Sequence, residues 1–143
     1  MEKQIPFRII GLQVENFRLT ENKPKVDQPV EIRTDYEFGV IPSAHLVSAK
    51  LTYTYHQNGN VLLEMTLVST FDVEPAAFQS MIADGIFTLE PYFSQYLSTI
   101  NVGAARGEIH ARSEQAGSMM ANFILPPINL VEALPAPITI ALR

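Results

Sequence analysis

The chain has 143 residues, 47% of them apolar and 17% charged, with no cysteine and a net charge of −5. That length and apolar share suit one folded domain, residues 1–143, with a core of its own. The composition excludes disulfides, thiolate metal sites and a cysteine nucleophile, and no run approaches the roughly 18–20 apolar residues of a membrane span. The charge is unevenly placed. Residues 51–105 hold no Lys or Arg, while Glu64, Asp72, Glu74, Asp84 and Glu90 fall inside them. An acidic chain of this layout repels phosphate, so no nucleic-acid partner is expected. The acids read either as a solvated face or as a docking patch for a basic partner. "MEKQIPFRII" lacks the apolar run and small-residue site of a signal peptide, so a cytoplasmic location is expected.

In chain order, strands come first. Ile10, Leu12 and Val14 alternate with polar or small residues, and then the apolar phase slips to Phe17 and Leu19. A slip of one residue in a period of two predicts a β-bulge near Glu15 and Asn16. After "ENKPKVDQP", Val30, Ile32, Thr34, Tyr36, Phe38 and Val40 face one way and Glu31, Arg33, Asp35 and Glu37 the other. One apolar and one wet face argue for an antiparallel sheet. Leu51, Tyr53 and Tyr55 lead into "HQNGN", and Val61, Leu63, Met65 and Leu67 lead out. Asn58-Gly59 between alternating runs predicts a hairpin, and the four strands together predict a meander.

The second half changes period. "EPAAFQSMIAD" (74–84) reads as a short helix with Pro75 in its first turn. A longer helix begins near Glu90-Pro91, with Leu89, Phe93, Tyr96, Leu97, Ile100, Ala104 and Ala111 on one face. Gly103, Gly107 and Ala111 recur every four residues. Glycine costs about 0.5–1 kcal/mol in a helix interior against alanine, so they mark either a close approach or a break at 101–103. Gly117 is a candidate stop. "SMMANFILPPINL" returns as extended chain, because Pro126 and Pro127 admit neither a helix nor a central strand. Pro135 and Pro137 forbid a long terminal helix, and "ITIAL" reads as a last strand.

Catalysis finds little support. His45, His56 and His110 fall on separate elements, and Glu108 and His110 point to different helix faces, a poor metal pair. There is no phosphate loop and no nucleophile elbow. No enzyme, metal or cofactor is expected.

Four strands, a connector, a helix containing "EPYFSQYL" and then "LPPINLVEAL" resemble the SecB family of export chaperones. Glu90-Pro91-Tyr92 stands where that family has Phe-Pro-Tyr, and residues 125–134 match its proline-rich motif after the helix. The resemblance implies an α+β fold: a four-stranded antiparallel sheet backed by one long and one shorter helix. It implies ATP-independent holding of unfolded polypeptide clients, in protein transport, with assembly into a homotetramer (a dimer of dimers) or a homodimer. Tyr36, Phe38, Tyr53, Tyr55, Phe123 and Ile124 become groove candidates, Gly103, Gly107 and Ala111 interface candidates, and Glu64 an acidic docking position. The sequence departs from the family in the crossover "TENKPKVDQP", which carries no aromatic residue, and at Asn16 and Thr20, where acids are expected. An interaction scaffold that has lost promiscuous binding, and a small-ligand pocket, are the other readings.

Overall fold

The computed structural model describes residues 4–142; residues 1–3, part of the stretch judged not to be a signal peptide, and residue 143 lie outside it. Its larger sheet has four antiparallel strands, β1 (Phe7–Leu19), β2 (Glu31–Ile41), β3 (Leu46–Gln57) and β4 (Asn60–Val73). Their spatial order is β1-β4-β3-β2. The meander therefore holds only for β2, β3 and β4. Residues 20–30 carry the chain across the sheet, so β1 pairs with β4 and the first two strands become opposite edges. Alternation reports which face a residue takes but not which strand lies beside it.

β1 contains the expected bulge, a register shift between Val14 and Asn16, and a second between Ile9 and Gly11. Its inward residues meet inward residues of β4: Phe17 opposes Met65 and Val14 opposes Leu67. Phe7 contacts Phe71, Phe93 and Tyr96 edge-on, with ring centroids 5.5–5.6 Å apart. The core lies on this face of β3 and β4, where Val47, Leu51, Tyr53, Tyr55, Leu63, Met65, Leu67 and Phe71 are all buried. The β3–β4 hairpin turns at Asn58 and Gly59, both at positive φ, as the Asn-Gly pair predicts.

The predicted helix 74–84 is shorter. Helix α1 spans Pro75–Ser80, capped by Glu74, whose carboxylate accepts from the Ala77 N–H at 2.6 Å. Then β5 (Ile82–Ala83) and β6 (Ile86–Leu89) form a hairpin around Asp84 and Gly85, at φ 52° and 74°. Asp-Gly is as strong a turn signal as Asn-Gly; the apolar run before it concealed it. Strand β7 (Ile138–Ala141) pairs with β6, completing a second, three-stranded sheet and bearing out the last predicted strand.

Helix α2 runs unbroken over Pro91–Gln115, straight through both glycines. It ends where Gly117 takes φ 66°. There the Gly117 N–H donates to the Glu114 carbonyl and the Ser118 N–H to the Ser113 carbonyl, a Schellman stop. A 3-10 turn (Met119–Asn122) and an extended stretch through Pro126 and Pro127 follow. A single turn, α3 (Leu130–Ala133), is capped by Asn129, whose side chain accepts from the Glu132 N–H. This strap is held from α2: Arg106 donates to the carbonyls of Leu125 (2.6 Å) and Pro126 (3.3 Å), and Gln95 to that of Leu134 (2.9 Å).

Candidate functional site

The face of α2 that meets the sheet is the predicted one in part: Phe93 and Leu97 are buried, and Ile100 and Ala104 pack partly against the core. Ser94, Ser98, Asn101, Ala105, Ile109 and Ser113 are buried beside Phe93 and Leu97, whereas Tyr96 is 57% exposed and Ala111 lies in solvent. Small polar residues let the helix sit close over the middle of the sheet. Asn101 makes the connection. Its Oδ1 accepts from the Tyr53 hydroxyl at 2.7 Å, and its Nδ2 lies 3.2 Å from the Ala49 carbonyl and 3.0 Å from both the Leu67 carbonyl and Ser69 Oγ.

The six groove candidates divide into three pairs. Tyr53 and Tyr55 are both 0% exposed and belong to the core, so they line no open groove. Tyr36 and Phe38 are half-buried on β2, in the inward row that also holds Ile32, Thr34 and Val40. Among the described residues β2 pairs only with β3, leaving its other backbone edge unpaired there. On the strap, Phe123 is half-buried and Ile124 is 52% exposed. Tyr36 and Phe38 thus stand at the middle of a half-buried apolar row on an edge strand.

Burial raises the phenol pKa of all three tyrosines, that of Tyr55 to about 12, against a smaller opposing pull from the Arg106 guanidinium at Tyr53 and Tyr55. The buried Tyr55 hydroxyl also has no hydrogen-bond partner among the described residues. Folding therefore holds these phenols neutral while the unfolded chain ionises near its ordinary value of about 10. Above that pH the unfolded state binds fewer protons, so stability falls; below it this contribution is fully present. Urea midpoints should be flat up to about pH 9 and then drop, by up to about 1.4 kcal/mol per pH unit for each buried tyrosine. Tyr53→Phe should flatten the drop, and equal slopes in the two proteins would refute the assignment.

The interface candidates are exposed. A Cβ placed on Gly103 or Gly107 would meet nothing within 4 Å, so neither glycine serves a contact inside the chain. Tyr96, Gly103, Gly107 and Ala111 instead form an exposed apolar and small-residue stripe, flanked by the half-buried Ile100 and Ala104. Beside it on β1, Ile9 and Leu12 oppose the core residues Phe71 and Ser69 yet stay 42% and 54% exposed. They share the core face, and although α2 touches β1 at Phe7 and Phe17, these two residues between stay exposed.

Glu64 is not a free acid. It accepts from Asn16 Nδ2 at 3.1 Å and lies 4.0 Å from Arg18 on β1. Asp72 is likewise 3.1 Å from Arg8. Arginines from β1 thus offset two acids of the cation-free stretch, which is lopsided in sequence and balanced across the ladder. Of the histidines, His45 packs edge-on to Phe78 at 5.5 Å and His110 Nδ1 lies 3.0 Å from the Ala121 carbonyl. Among the described residues, no group of three or more His, Asp or Glu could hold a metal ion. No described helix is long and apolar enough to cross a membrane.

Two clefts of about 520 Å³ each flank Tyr92 and Tyr96, one walled by residues 4–7 and the other by Gln95, Thr99 and residues 128–131. Neither contains a candidate from the sequence. The signal that could have found them was Tyr92 and Tyr96 at helical spacing, which reads equally as core.

No protein-family model and no curated protein sequence matches the chain. A solved structure does: a SecB-like chaperone of Mycobacterium tuberculosis in complex with a ChAD peptide from the HigA1 antitoxin. The match has a TM-score of 0.55 at 10% sequence identity, over 85% of this chain and 90% of that one. The fold of this chain is that of a SecB-like chaperone.

Proposed function

We propose that the chain is an ATP-independent holder of non-native polypeptide, acting as a homo-oligomer in the cytoplasm. One observation carries the reading: the half-buried apolar row of β2, Ile32, Tyr36, Phe38 and Val40, beside a strand edge unpaired among the described residues. An extended client can add a strand there, its main chain satisfying the edge and alternate side chains covering the row. The chaperone in the matching structure holds a peptide, which supports the same use of the fold here. Motor docking in export has less behind it, because Glu64 is already engaged by Asn16 and Arg18. Paired Tyr36→Ser and Phe38→Ser substitutions sit on half-buried positions and should leave the fold intact while removing the binding row. Light scattering of an aggregating client tests it. Wild type should slow aggregation and the double variant should not; no slowing by wild type in molar excess would leave an interaction scaffold as the better reading.

Assembly rests on a different surface. An apolar helix face turned to water is what a second copy would cover, and the bare glycines let another backbone approach closely. Gly107→Leu meets no obstacle within one chain, yet it would overpack a helix contact by about 1–3 kcal/mol. Sedimentation should show the wild type as a dimer or tetramer and the variant shifted to smaller species. A wild-type monomer at micromolar concentration would end this proposal.

A further inference from the structure

The tip of the β3–β4 hairpin carries chemistry that holding a polypeptide does not use. Asn58 and Gly59 are exposed and both left-handed, at φ 49° and 79°, as a two-residue type I′ turn requires. Gln57 and Asn60 make the ladder pair that closes the turn, so the Gly59 N–H stands outside it. With no Cβ on Gly59 and nothing within 4 Å of where one would stand, no side chain shields its nitrogen from attack on the Asn58 side chain once the turn opens.

We propose that Asn58 is a spontaneous deamidation site that the folded hairpin holds in check. The Gly59 nitrogen gives up its proton and forms a bond to Asn58 Cγ, and the side-chain amide leaves as ammonia. The resulting succinimide takes up one water and opens to aspartate or to isoaspartate. Water is the only co-reactant.

Two features of the fold oppose the first step. Ring closure needs the Asn58 peptide to rotate out of the left-handed position that the turn demands. The leaving amide is also tethered, since Asn58 Nδ2 donates to Gln28 Oε1 at 2.6 Å. That tether belongs to a larger stitch between hairpin and crossover. Gln57 Nε2 donates to the carbonyls of Lys25 and Gln28, both at 2.9 Å, and Gln57 Oε1 accepts from the Lys25 N–H at 2.8 Å. Opening the hairpin releases both restraints together, so the modification accumulates with time spent open.

The two products differ in consequence. An aspartate at 58 would share a depression of about 220 Å³ with Lys23 and Lys25, and its charge is accommodated there. Isoaspartate inserts a methylene into the main chain of a two-residue loop, where strand register depends on loop length. It should loosen the stitch that carries the crossover.

Ageing the full chain at neutral pH, native and in urea, tests the proposal. Peptide mass spectrometry reads conversion of amide to acid at Asn58, and isoaspartyl methyltransferase labelling reads isoaspartate. Native protein should react several-fold more slowly than unfolded protein. Gln28→Ala should raise the native rate about fivefold, the equilibrium worth of one ordinary hydrogen bond, and leave the rate in urea unchanged. Equal native and unfolded rates, or a native rate unmoved by Gln28→Ala, would overturn it. If circular dichroism shows that Gln28→Ala has unfolded, the wild-type ratio of native to urea rates decides alone.

Discussion

Asn101→Ala is expected to destabilise the chain by about 2–4 kcal/mol, because a buried polar group left without a partner costs about 1–3 kcal/mol and each further hydrogen bond lost about 0.5–1.5 kcal/mol. Asn101 is the sole side chain of α2 that bonds both to a core tyrosine and to the backbone of two central strands. Removing it deprives the buried Tyr53 hydroxyl of its acceptor and takes one donor each from the Ala49 and Leu67 carbonyls, of which Ala49 keeps the Ser69 hydroxyl at 3.3 Å. Tyr53→Phe removes one bond of the set and should cost only about 1–2 kcal/mol. The two changes share a bond, so the double variant should be less destabilised than the sum. Urea unfolding at constant m-value gives all three numbers. An unchanged midpoint for Asn101→Ala would show that the helix does not depend on this connection.

Leu125→Ala is the second large effect, about 2–5 kcal/mol, as for a fully buried leucine. Leu125 is 1% exposed, while Ile128, directly after the two prolines, is only half-buried. Ile128→Ala should therefore cost less than Leu125→Ala, although the sequence makes the two look alike. The cause lies beside Leu125: Arg106 draws its carbonyl toward α2 and fixes the strap at that point. Equal losses at the two positions, measured by the same unfolding midpoints, would show that the strap is anchored along its length rather than at Leu125.

Asn101 also shows why part of the site escaped the sequence. The apolar helix stripe in the sequence is Leu89, Phe93, Tyr96, Leu97, Ile100, Ala104 and Ala111, of which Leu89, Phe93 and Leu97 are buried while Tyr96 and Ala111 are exposed. Ser94, Ser98, Asn101 and Ala105 recur at equally helical intervals, and they too are buried against the sheet. A stripe of small polar residues was the available signal. It is weak because serine and asparagine on a helix ordinarily face water. The same rotation of the helix leaves Tyr96 and Ala111 exposed. Tyr53 and Tyr55 resemble Tyr36 in sequence alternation, yet central strands bury what an edge strand leaves half-open.

What the amino-acid sequence determined by itself is local. The bulge at Glu15, the Asn58-Gly59 turn, the proline starts of α1 and α2, the stop at Gly117 and the terminal strand all depend on φ preferences and side-chain periods within a few residues. The α+β class follows from their order. Only the tertiary structure decided that β1 crosses to the far edge, which face of α2 is buried, and that Arg8 and Arg18 meet Asp72 and Glu64. Each of these joins residues dozens of positions apart, where no local preference acts. They are settled by which pairing of strands and helix buries the core and satisfies its polar groups together.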